Sequence, residues 1–480
     1  MEFENLDELV DRINNDLGEF CEHFQYERKR LSGISPNKKR IVFISKGDFA
    51  YNNGGKDQIQ YHISLNNNLS FGLGFNTQRG SHYPNDKNIV EELKPYMNAF
   101  IELENELNRL LPEYDIIINS KSDLINPKEP SFVLFGKEIK IYQDEQGKSI
   151  DNKQYNSMLT DFKENMFEAY KLIFEKRNQL IKIQNEMEKY LKLLKSNKNL
   201  VLTGAPGTGK TYLAKKIAEE IIGNKTDDVK EQSAFVQFHP SYDYTDFVEG
   251  LRPKKEKDSK ELGFELKNGI FKEFCKKAKG QPEKDFVFII DEINRAEISK
   301  VFGELFFAID PGYRGEEGKV KTQYANMQTD ETFFTDKDDD YFFVPSNVYI
   351  IATMNDIDSS VESFDFAMRR RFAWIEVEAN ERIAMWDGND WKDQAEKRMV
   401  ELNKSIFDKD TKKGIDGLNS SYHIGPAYFL KLNNYPKDTE EEKFNKLWKN
   451  HLEVLLREYL RGMPKAEDDL EKLKNAYNSK

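Results

Sequence analysis

One stretch indicates the fold class of this chain most strongly: Asn199-Leu-Val-Leu-Thr-Gly-Ala-Pro-Gly-Thr-Gly-Lys-Thr-Tyr212. Its apolar run at 200–202 is typical of a buried parallel strand. The next part matches G-x-x-x-x-G-K-[ST] without a gap, through Gly204, Ala205, Pro206, Gly207, Thr208, Gly209, Lys210 and Thr211. Apolar residues at helical spacing follow, at Leu213, Ile217, Ile221 and Ile222. A strand, a glycine-rich turn and a helix in this order predict a phosphate-binding loop.

The residue types in that loop are those that phosphate chemistry requires. Glycines allow backbone N–H groups to surround a β-phosphate, and the N-terminus of the following helix adds partial positive charge. Lys210 is expected to neutralise β- and γ-phosphate oxygens, and Thr211 to place its hydroxyl on Mg²⁺. The loop therefore predicts a nucleoside triphosphate with its magnesium ion as ligand.

Two later apolar runs end in polar residues. In residues 285–292, Asp-Phe-Val-Phe-Ile-Ile-Asp-Glu, a buried parallel strand leads to Asp291 and Glu292. Ligands bind at this end of strands in open α/β sheets, so we expect Asp291 in the Mg²⁺ shell and Glu292 polarising the attacking water. The run at 347–353 leads to Asn355, whose amide can orient water against the γ-phosphate.

Three consecutive arginines, Arg369, Arg370 and Arg371, follow at the end of a short predicted helix. A guanidinium suits phosphoryl transfer because it offsets the charge on the equatorial oxygens. Consecutive residues on a helix do not face one direction, so at most one or two of the three are expected to serve one site.

This order of motifs resembles the AAA+ type of P-loop NTPase, and longer pieces are similar to the McrB family. McrB proteins are the GTP-specific motor subunits of McrBC modification-dependent restriction systems. The similar pieces are QFHPSYDYTDFVEG at 237–250, DEINRA at 291–296, VFGE at 301–304, VYII at 348–351, MNDID at 354–358 and RRRF at 369–372. The resemblance extends from about residue 191 to the C-terminus. It implies an α/β module with a parallel sheet flanked by helices and a C-terminal helical lid.

The resemblance also implies ligands, roles and partners. GTP and Mg²⁺ are the implied cofactors, and Asn355 and Asp358 help to position water. Arg370 falls at the family's trans-acting finger, with Arg371 beside it, which implies a hexameric ring. The implied partners are a separate McrC-like nuclease and double-stranded DNA, with modified cytosine as a candidate target. The chain departs from the family pattern at Glu297, Ser359 and Pro426, which leaves open how hydrolysis responds to neighbours.

The residue types and the hydrophobic pattern along the chain predict four regions. Residues 1–163 are expected to form an N-terminal α+β domain, to which the resemblance to the McrB family assigns DNA recognition. Residues 164–197, which lack glycine and proline, are expected to form a linker helix. Residues 198–380 are expected to be the large α/β subdomain, and 381–480 the helical lid. An acidic run with Asp336, Asp338, Asp339 and Asp340 is interpreted as a solvated loop, with an inserted hairpin facing a pore or partner as the alternative.

Three patterns have a simpler interpretation than the functional one. Asp123 with Glu138-Ile-Lys140 resembles a nuclease metal site, but a half-exposed strand gives the same alternation. Asn224-Lys-Thr-Asp227 spells a guanine-reading motif, but it follows a helix stop at Gly223. Basic residues interleaved with Phe43, Phe71 and other aromatics suit either nucleic-acid binding or a solvated rim over an aromatic core.

The bulk properties limit the remaining possibilities. The net charge is −12, which argues against a chain that coats nucleic acid along its whole surface, and two cysteines exclude a disulfide framework. An acidic N-terminus and the lack of a long apolar run predict a cytoplasmic protein without a membrane segment. Two rival functions stay open: an ATP-dependent MoxR-like remodelling chaperone, and a scaffold that binds nucleotide with little turnover.

Overall fold

A computed structural model describes residues 1–17, 24–31, 39–45, 60–65, 68–76, 95, 97–118, 132–145, 147–223, 226–255, 262–334, 341–357 and 366–479. The chain divides into two compact units, Met1–Glu186 and Met187–Lys480. Several residues singled out in the sequence lie outside the described ranges: Asp123, Asn224, Lys225, Asp336, Asp338, Asp339, Asp340, Asp358 and Ser359.

The first unit is an α+β domain built on antiparallel strands. The strands are β1 (Glu2–Phe3), β2 (Phe24–Leu31), β3 (Lys39–Ser45), β4 (Gln60–Leu65), β5 (Asn68–Asn76), β6 (Asp115–Ile118), β7 (Phe132–Lys140), β8 (Tyr142–Asp144) and β9 (Gly147–Ser149). Six of them form a sheet in the order β2-β3-β4-β5-β7-β6, and three form a smaller sheet in the order β1-β9-β8. The helices are α1 (Leu6–Leu17), α2 (Glu104–Leu110) and α3 (Asn152–Asn197).

The central strands of the first unit differ in burial: residues 69–73 of β5 are all buried, whereas β7 alternates between core and surface near its end. Phe71 of β5 is fully buried, and its ring meets that of Phe162 on α3 edge-on with centroids 5.5 Å apart. Phe71 therefore belongs to an aromatic core and is not available to stack on bases. On β7, Ile139 is buried, whereas Glu138 accepts a hydrogen bond from the Ser70 hydroxyl at 3.0 Å. This is the pattern of a half-exposed strand.

The long helix α3 begins at Asn152, ahead of the predicted start at 164. Asp151 caps it, because its carboxylate accepts a hydrogen bond from the backbone N–H of Gln154 at 2.7 Å. The sequence prediction places 152–163 in the N-terminal domain and starts the helix at 164. In the structure Tyr155 and its neighbours pack into the core of the first unit, so the helix begins within that domain. Residues of α3 up to Glu186 belong to the first unit and the rest to the second.

The second unit contains a parallel sheet of five strands. Its strands and hairpins are β10 (Asn199–Thr203), β11 (Ser233–Gln237), β12 (Glu249–Lys255), β13 (Leu262–Asn268), β14 (Phe286–Asp291), β15 (Val320–Lys321), β16 (Tyr341–Phe342), β17 (Val348–Thr353), β18 (Ala373–Glu376), β19 (Phe407–Asp408) and β20 (Lys413–Gly414). The parallel strands lie in the order β11-β14-β17-β10-β18. On β14, Phe286, Phe288 and Ile290 enter one core, and Val287 and Ile289 enter another, because both faces of the sheet are covered.

Helices flank this sheet and build the C-terminal lid. They are α4 (Lys210–Ile222), α5 (Thr226–Gln232), α6 (Tyr244–Phe247), α7 (Ile270–Lys279), α8 (Ile298–Phe302), α9 (Leu305–Ala308), α10 (Phe366–Arg369), α11 (Lys392–Ile406), α12 (Glu440–Leu447), α13 (Glu453–Tyr459) and α14 (Ala466–Asn478). The lid has a core of its own, in which Trp386 and Tyr477 are fully buried. The predicted fold class, a parallel α/β module with a helical lid and an N-terminal α+β domain, is confirmed. Within the described ranges, no helix is both long and apolar enough to cross a membrane.

Candidate active site at the phosphate loop

The phosphate loop connects β10, which lies between β17 and β18 in the parallel sheet, to α4. Gly207 and Gly209 have φ angles of 76° and 85°, a region that favours glycine. Lys210 is the first residue of α4, and its Nζ donates hydrogen bonds to the carbonyl oxygens of Gly204 at 2.9 Å and Ala205 at 2.8 Å. The loop thus has the backbone that the motif requires, with its lysine folded against it.

Lys210 is set to bind an anion. Its side chain is buried, and burial lowers its pKa to about 8, although the carboxylates of Glu292, Asp356 and Asp291 oppose this shift. These hydrogen bonds go to neutral carbonyls, and in the described part of the chain no carboxylate is hydrogen-bonded to this ammonium. A buried cation at a helix N-terminus, beside a glycine-rich backbone, fits the phosphates of a nucleotide.

Asp291, at the end of β14, connects three segments of the site. One of its oxygens, Oδ1, accepts a hydrogen bond from the Thr211 hydroxyl and another from the Thr353 hydroxyl, each at 2.7 Å. Thr211 follows the loop lysine, and Thr353 ends β17. A hydroxyl and a carboxylate this close are a suitable protein contribution to a Mg²⁺ site, in which phosphate oxygens and water supply the other ligands.

Glu292 is held from several directions. It has a left-handed backbone conformation, with φ 54° and ψ 47°, and its N–H donates to the Thr353 hydroxyl at 3.1 Å. Its Oε1 accepts a hydrogen bond from Asn355 Nδ2 at 2.6 Å, and its Oε2 lies 3.5 Å from Arg295 Nε. Asn294 Nδ2 donates to the carbonyl oxygen of Asn355 at 3.3 Å. The candidate base and the candidate water-orienting amide therefore form one network.

A family model described as an AAA domain of the dynein-related subfamily matches residues 199–372, from β10 to just before β18. This region is an AAA domain. It contains the phosphate loop, both carboxylates, Asn355 and the three arginines, and its P-loop is a nucleotide-binding site of the NTPase type. The AAA part of the sequence-based prediction is confirmed.

Two relatives are similar to this chain over more residues than the family model matches. The Type IV methyl-directed restriction enzyme EcoKMcrB subunit of Escherichia coli K12 is 36% identical over 307 residues, which cover 58% of this chain and 61% of that protein. The Type II restriction enzyme BsuMI component YdiS of Bacillus subtilis 168 is 27% identical over 258 residues, covering 46% of this chain and 73% of that protein. The predicted resemblance to McrB is confirmed. The chain spans less than two thirds of the length of the E. coli subunit.

A solved structure of NtrX from Brucella abortus aligns with 65% of this chain and 75% of its own length. The sequence identity is 10% and the TM-score is 0.28. The fold assignment of the AAA domain therefore rests on its strand order and on the family match.

The three arginines of the AAA domain have different surroundings. Arg369 Cζ lies 5.7 Å from the ring centroid of Trp374, and Arg370 is exposed. Arg371 is 9% exposed, and its Nε lies 3.6 Å from Asp310 Oδ2. Arg371 is thus buried and paired with Asp310. This position does not support the predicted role of Arg371 as a second finger arginine beside Arg370. Arg370 remains the candidate for a finger.

Two residues of the AAA site were missed by the sequence analysis. Thr353 bonds both Asp291 and the Glu292 amide, and Arg295 pairs with Glu292. A signal for Thr353 existed, because a hydroxyl at the carboxyl end of a buried strand lies beside the end of its neighbour in a parallel sheet. The predicted helix stop at Gly223 is present, with φ 106° and an N–H that donates to the Glu219 carbonyl at 3.0 Å.

Proposed function

We propose that this chain is the GTP-hydrolysing motor subunit of a modification-dependent restriction system. The observation that carries the proposal is the network in which Asp291 joins the phosphate loop to β17 while Asn355 holds Glu292. That network supplies the parts of a triphosphate-hydrolysing site. The similarity to a methyl-directed restriction subunit supports the biological setting. The preference for GTP over ATP is proposed from the resemblance of the sequence motifs to the McrB family.

The proposed reaction is attack of water on the γ-phosphorus, with cleavage of the bond to the β,γ-bridging oxygen. Glu292 accepts the proton of the attacking water, and Asn355 orients Glu292 and the water. In the transition state the phosphate oxygens carry negative charge, and the ammonium group of Lys210 offsets this charge. Mg²⁺, held by Thr211 and Asp291, would supply further charge neutralisation at the β- and γ-phosphates. Asp358 is proposed to tune the same step.

A second copy of the chain is proposed to complete the site. Arg370 is exposed, so it is available to enter the site of a neighbouring copy in a ring, which we propose to be a hexamer. An arginine supplied in trans makes hydrolysis depend on assembly. In this proposal hydrolysis should increase more steeply than linearly with protein concentration until the ring is formed.

DNA recognition and cleavage are assigned to different polypeptides. The first unit is proposed to recognise double-stranded DNA that carries modified cytosine, and a separate McrC-like nuclease to cut it. Lys39 and Arg40 are candidates for phosphate contacts because their sequence neighbourhood combines basic and aromatic residues. Binding of the full chain to methylated and unmethylated duplexes of one sequence, measured by fluorescence anisotropy, tests this assignment. Equal affinity for both duplexes would contradict recognition of the modification.

The nucleotide assignment is tested by the replacement Glu292→Gln. Because Gln keeps an oxygen for Asn355 but cannot accept the proton, hydrolysis should fall by about 10²–10⁴-fold while nucleotide binding persists. Glu297→Gln is the matched control, since that carboxylate pairs with Lys300 outside the network. Competition between GTP and ATP, with and without a nuclease encoded beside this chain, separates the restriction motor from the remodelling chaperone. A strong preference for ATP and no response to the nuclease would favour the chaperone. An unchanged rate in Glu292→Gln would favour the scaffold.

A further inference from the structure

A segment of the lid, residues 424–428, is hydrogen-bonded to the outside of the phosphate loop. We call this segment the lid strap. The N–H of Gly425 donates to the carbonyl oxygen of Pro206 at 3.1 Å, and the N–H of Ala427 donates to the carbonyl oxygen of Gly207 at 2.9 Å. A loop that turns its N–H groups toward a phosphate turns carbonyls away from it, and those carbonyls need donors of their own. The lid strap supplies two of these donors.

The approach of the lid strap to the loop leaves no space for a side chain at Gly425. Its backbone angles, φ −81° and ψ 160°, are those of ordinary extended chain that any residue adopts. A Cβ at this position would lie 2.2 Å from the carbonyl carbon of Gly207 and 2.4 Å from the amide nitrogen of Thr208. Across the same contact, a Cβ on Gly207 would lie 2.7 Å from Cδ2 of Tyr428. Gly425 is therefore required by space and not by conformation.

The other side of the lid strap is fixed to the lid core. Asn403 on α11 is 3% exposed, and its Nδ2 donates to the carbonyl oxygen of Ile424 at 3.0 Å. The same side chain accepts the N–H of Ile424 at 2.7 Å. Trp386 Nε1 donates to the carbonyl oxygen of Pro426 at 2.9 Å, and its ring is fully buried. Because Pro426 has no N–H, its place between the two donating residues leaves no backbone donor unpaired. A displacement of the lid therefore moves the strap with it.

We propose that the lid strap is a positioning element, which holds the phosphate loop in its binding conformation and couples that loop to the lid. Gly425 is the residue on which this coupling depends. The proposal rests on the proposed function only in requiring that the loop binds a nucleotide. Both nucleoside diphosphates and triphosphates use the β-phosphate cradle, so loss of the positioning weakens both. A group that acts only on the chemical step would alter triphosphate turnover and leave diphosphate binding unchanged.

The test is Gly425→Ala in the full chain, with dissociation constants for GDP, GTP, ADP and ATP measured by calorimetry. For the nucleoside that the wild type prefers, we expect the dissociation constants of both the diphosphate and the triphosphate to rise at least tenfold. The two constants should rise by similar factors. Gly280→Ala is the matched control, because Gly280 also has an ordinary φ of −70° and a Cβ there would approach no other atom closer than 3.4 Å. Its dissociation constants should equal those of the wild type.

A GDP dissociation constant for Gly425→Ala equal to that of the wild type, in a folded protein, overturns the proposal. A wild-type chain that binds none of the four nucleotides overturns the proposed function as well, which distinguishes the two failures. If Gly425→Ala does not fold, hydrogen exchange in the wild type decides the matter. The amides of Gly425 and Ala427 should become more protected when GDP is added, and unchanged protection would overturn the proposal.

Discussion

Thr353 is the residue whose replacement tests the geometry of the active site most directly. Its hydroxyl donates to Asp291 Oδ1 at 2.7 Å and accepts the N–H of Glu292 at 3.1 Å. The side chain is 2% exposed, so water cannot replace either bond. Thr353→Val has nearly the same shape and removes both bonds at once. It therefore separates the placement of the two carboxylates from the filling of the core.

The structure sets the size of the expected effect. A hydrogen bond to a charged acceptor contributes about 1.5–3 kcal/mol, and a buried N–H left without an acceptor costs about 1–3 kcal/mol. The free energy of unfolding of the second unit should therefore fall by roughly 3 kcal/mol, a large part of the ~5–15 kcal/mol typical of a domain. Glu292 has a left-handed backbone that this bond helps to hold, so its carboxylate should move. A displacement of about 1 Å at a reacting group costs on the order of 10²-fold in kcat.

The assay compares Thr353→Val with Thr353→Ser, which keeps the hydroxyl and loses a methyl group. Urea unfolding should place the serine variant within about 1 kcal/mol of the wild type, the usual cost of one buried methyl. GTP hydrolysis is measured at a temperature at which both variants are folded. Binding of GDP without Mg²⁺ should be equal in both, because the phosphate loop is unchanged. If the valine variant hydrolyses GTP as fast as the serine variant, Thr353 does not position the carboxylates.

Three further replacements test other parts of the second unit. Arg370→Ala should lower GTP hydrolysis by about 10³-fold without weakening nucleotide binding, whereas Arg369→Ala should have little effect on either; equal losses would contradict a finger at Arg370. Lys272→Met should lower the free energy of unfolding, measured in urea, by about 3–5 kcal/mol. Glu249 Oε2 lies 2.5 Å from the lysine Nζ, so this buried carboxylate would lose its partner. Adding Glu249→Gln should restore most of the lost free energy. Burial lowers the pKa of His423 from its ordinary 6.5, so the unfolded state binds a proton first as the pH falls. The free energy of unfolding should therefore decrease below about pH 6.5, and His423→Gln should reduce that decrease.

The parts of the fold that the sequence predicts are those whose signal is local. The strands β10, β14 and β17 each contain an unbroken apolar run, because both faces of the sheet are covered, and a polar residue follows each run. The glycine-rich loop carries its function in its own backbone. These signals placed Lys210 and Asp291 at one edge of the sheet, and the structure places them there. The start of α3 was missed, although Asp151 is a local cap, because the apolar residues after it resemble a surface helix as well as a core helix.

The parts that the sequence did not predict depend on contacts between distant segments. Gly425 has unremarkable backbone angles, so nothing near it in the chain indicates that Gly207 lies against its Cα. The difference between Arg370 and Arg371 depends on where the chain leaves α10 and on the carboxylate of Asp310, which lies about sixty residues earlier.

These contacts give the phosphate loop two connections of different chemistry. Inside the site, Thr211 reaches Asp291 through a hydrogen bond to a charged oxygen, which is about twice as strong as a neutral one. Outside, the lid strap reaches the loop through two neutral backbone bonds to Pro206 and Gly207. The phosphate charge of a bound nucleotide interacts electrostatically with Asp291. The same charge affects the lid strap only if the backbone of the phosphate loop moves. Replacements on the Asp291 side should therefore change kcat, and replacements in the strap should change the affinity for diphosphate and triphosphate together.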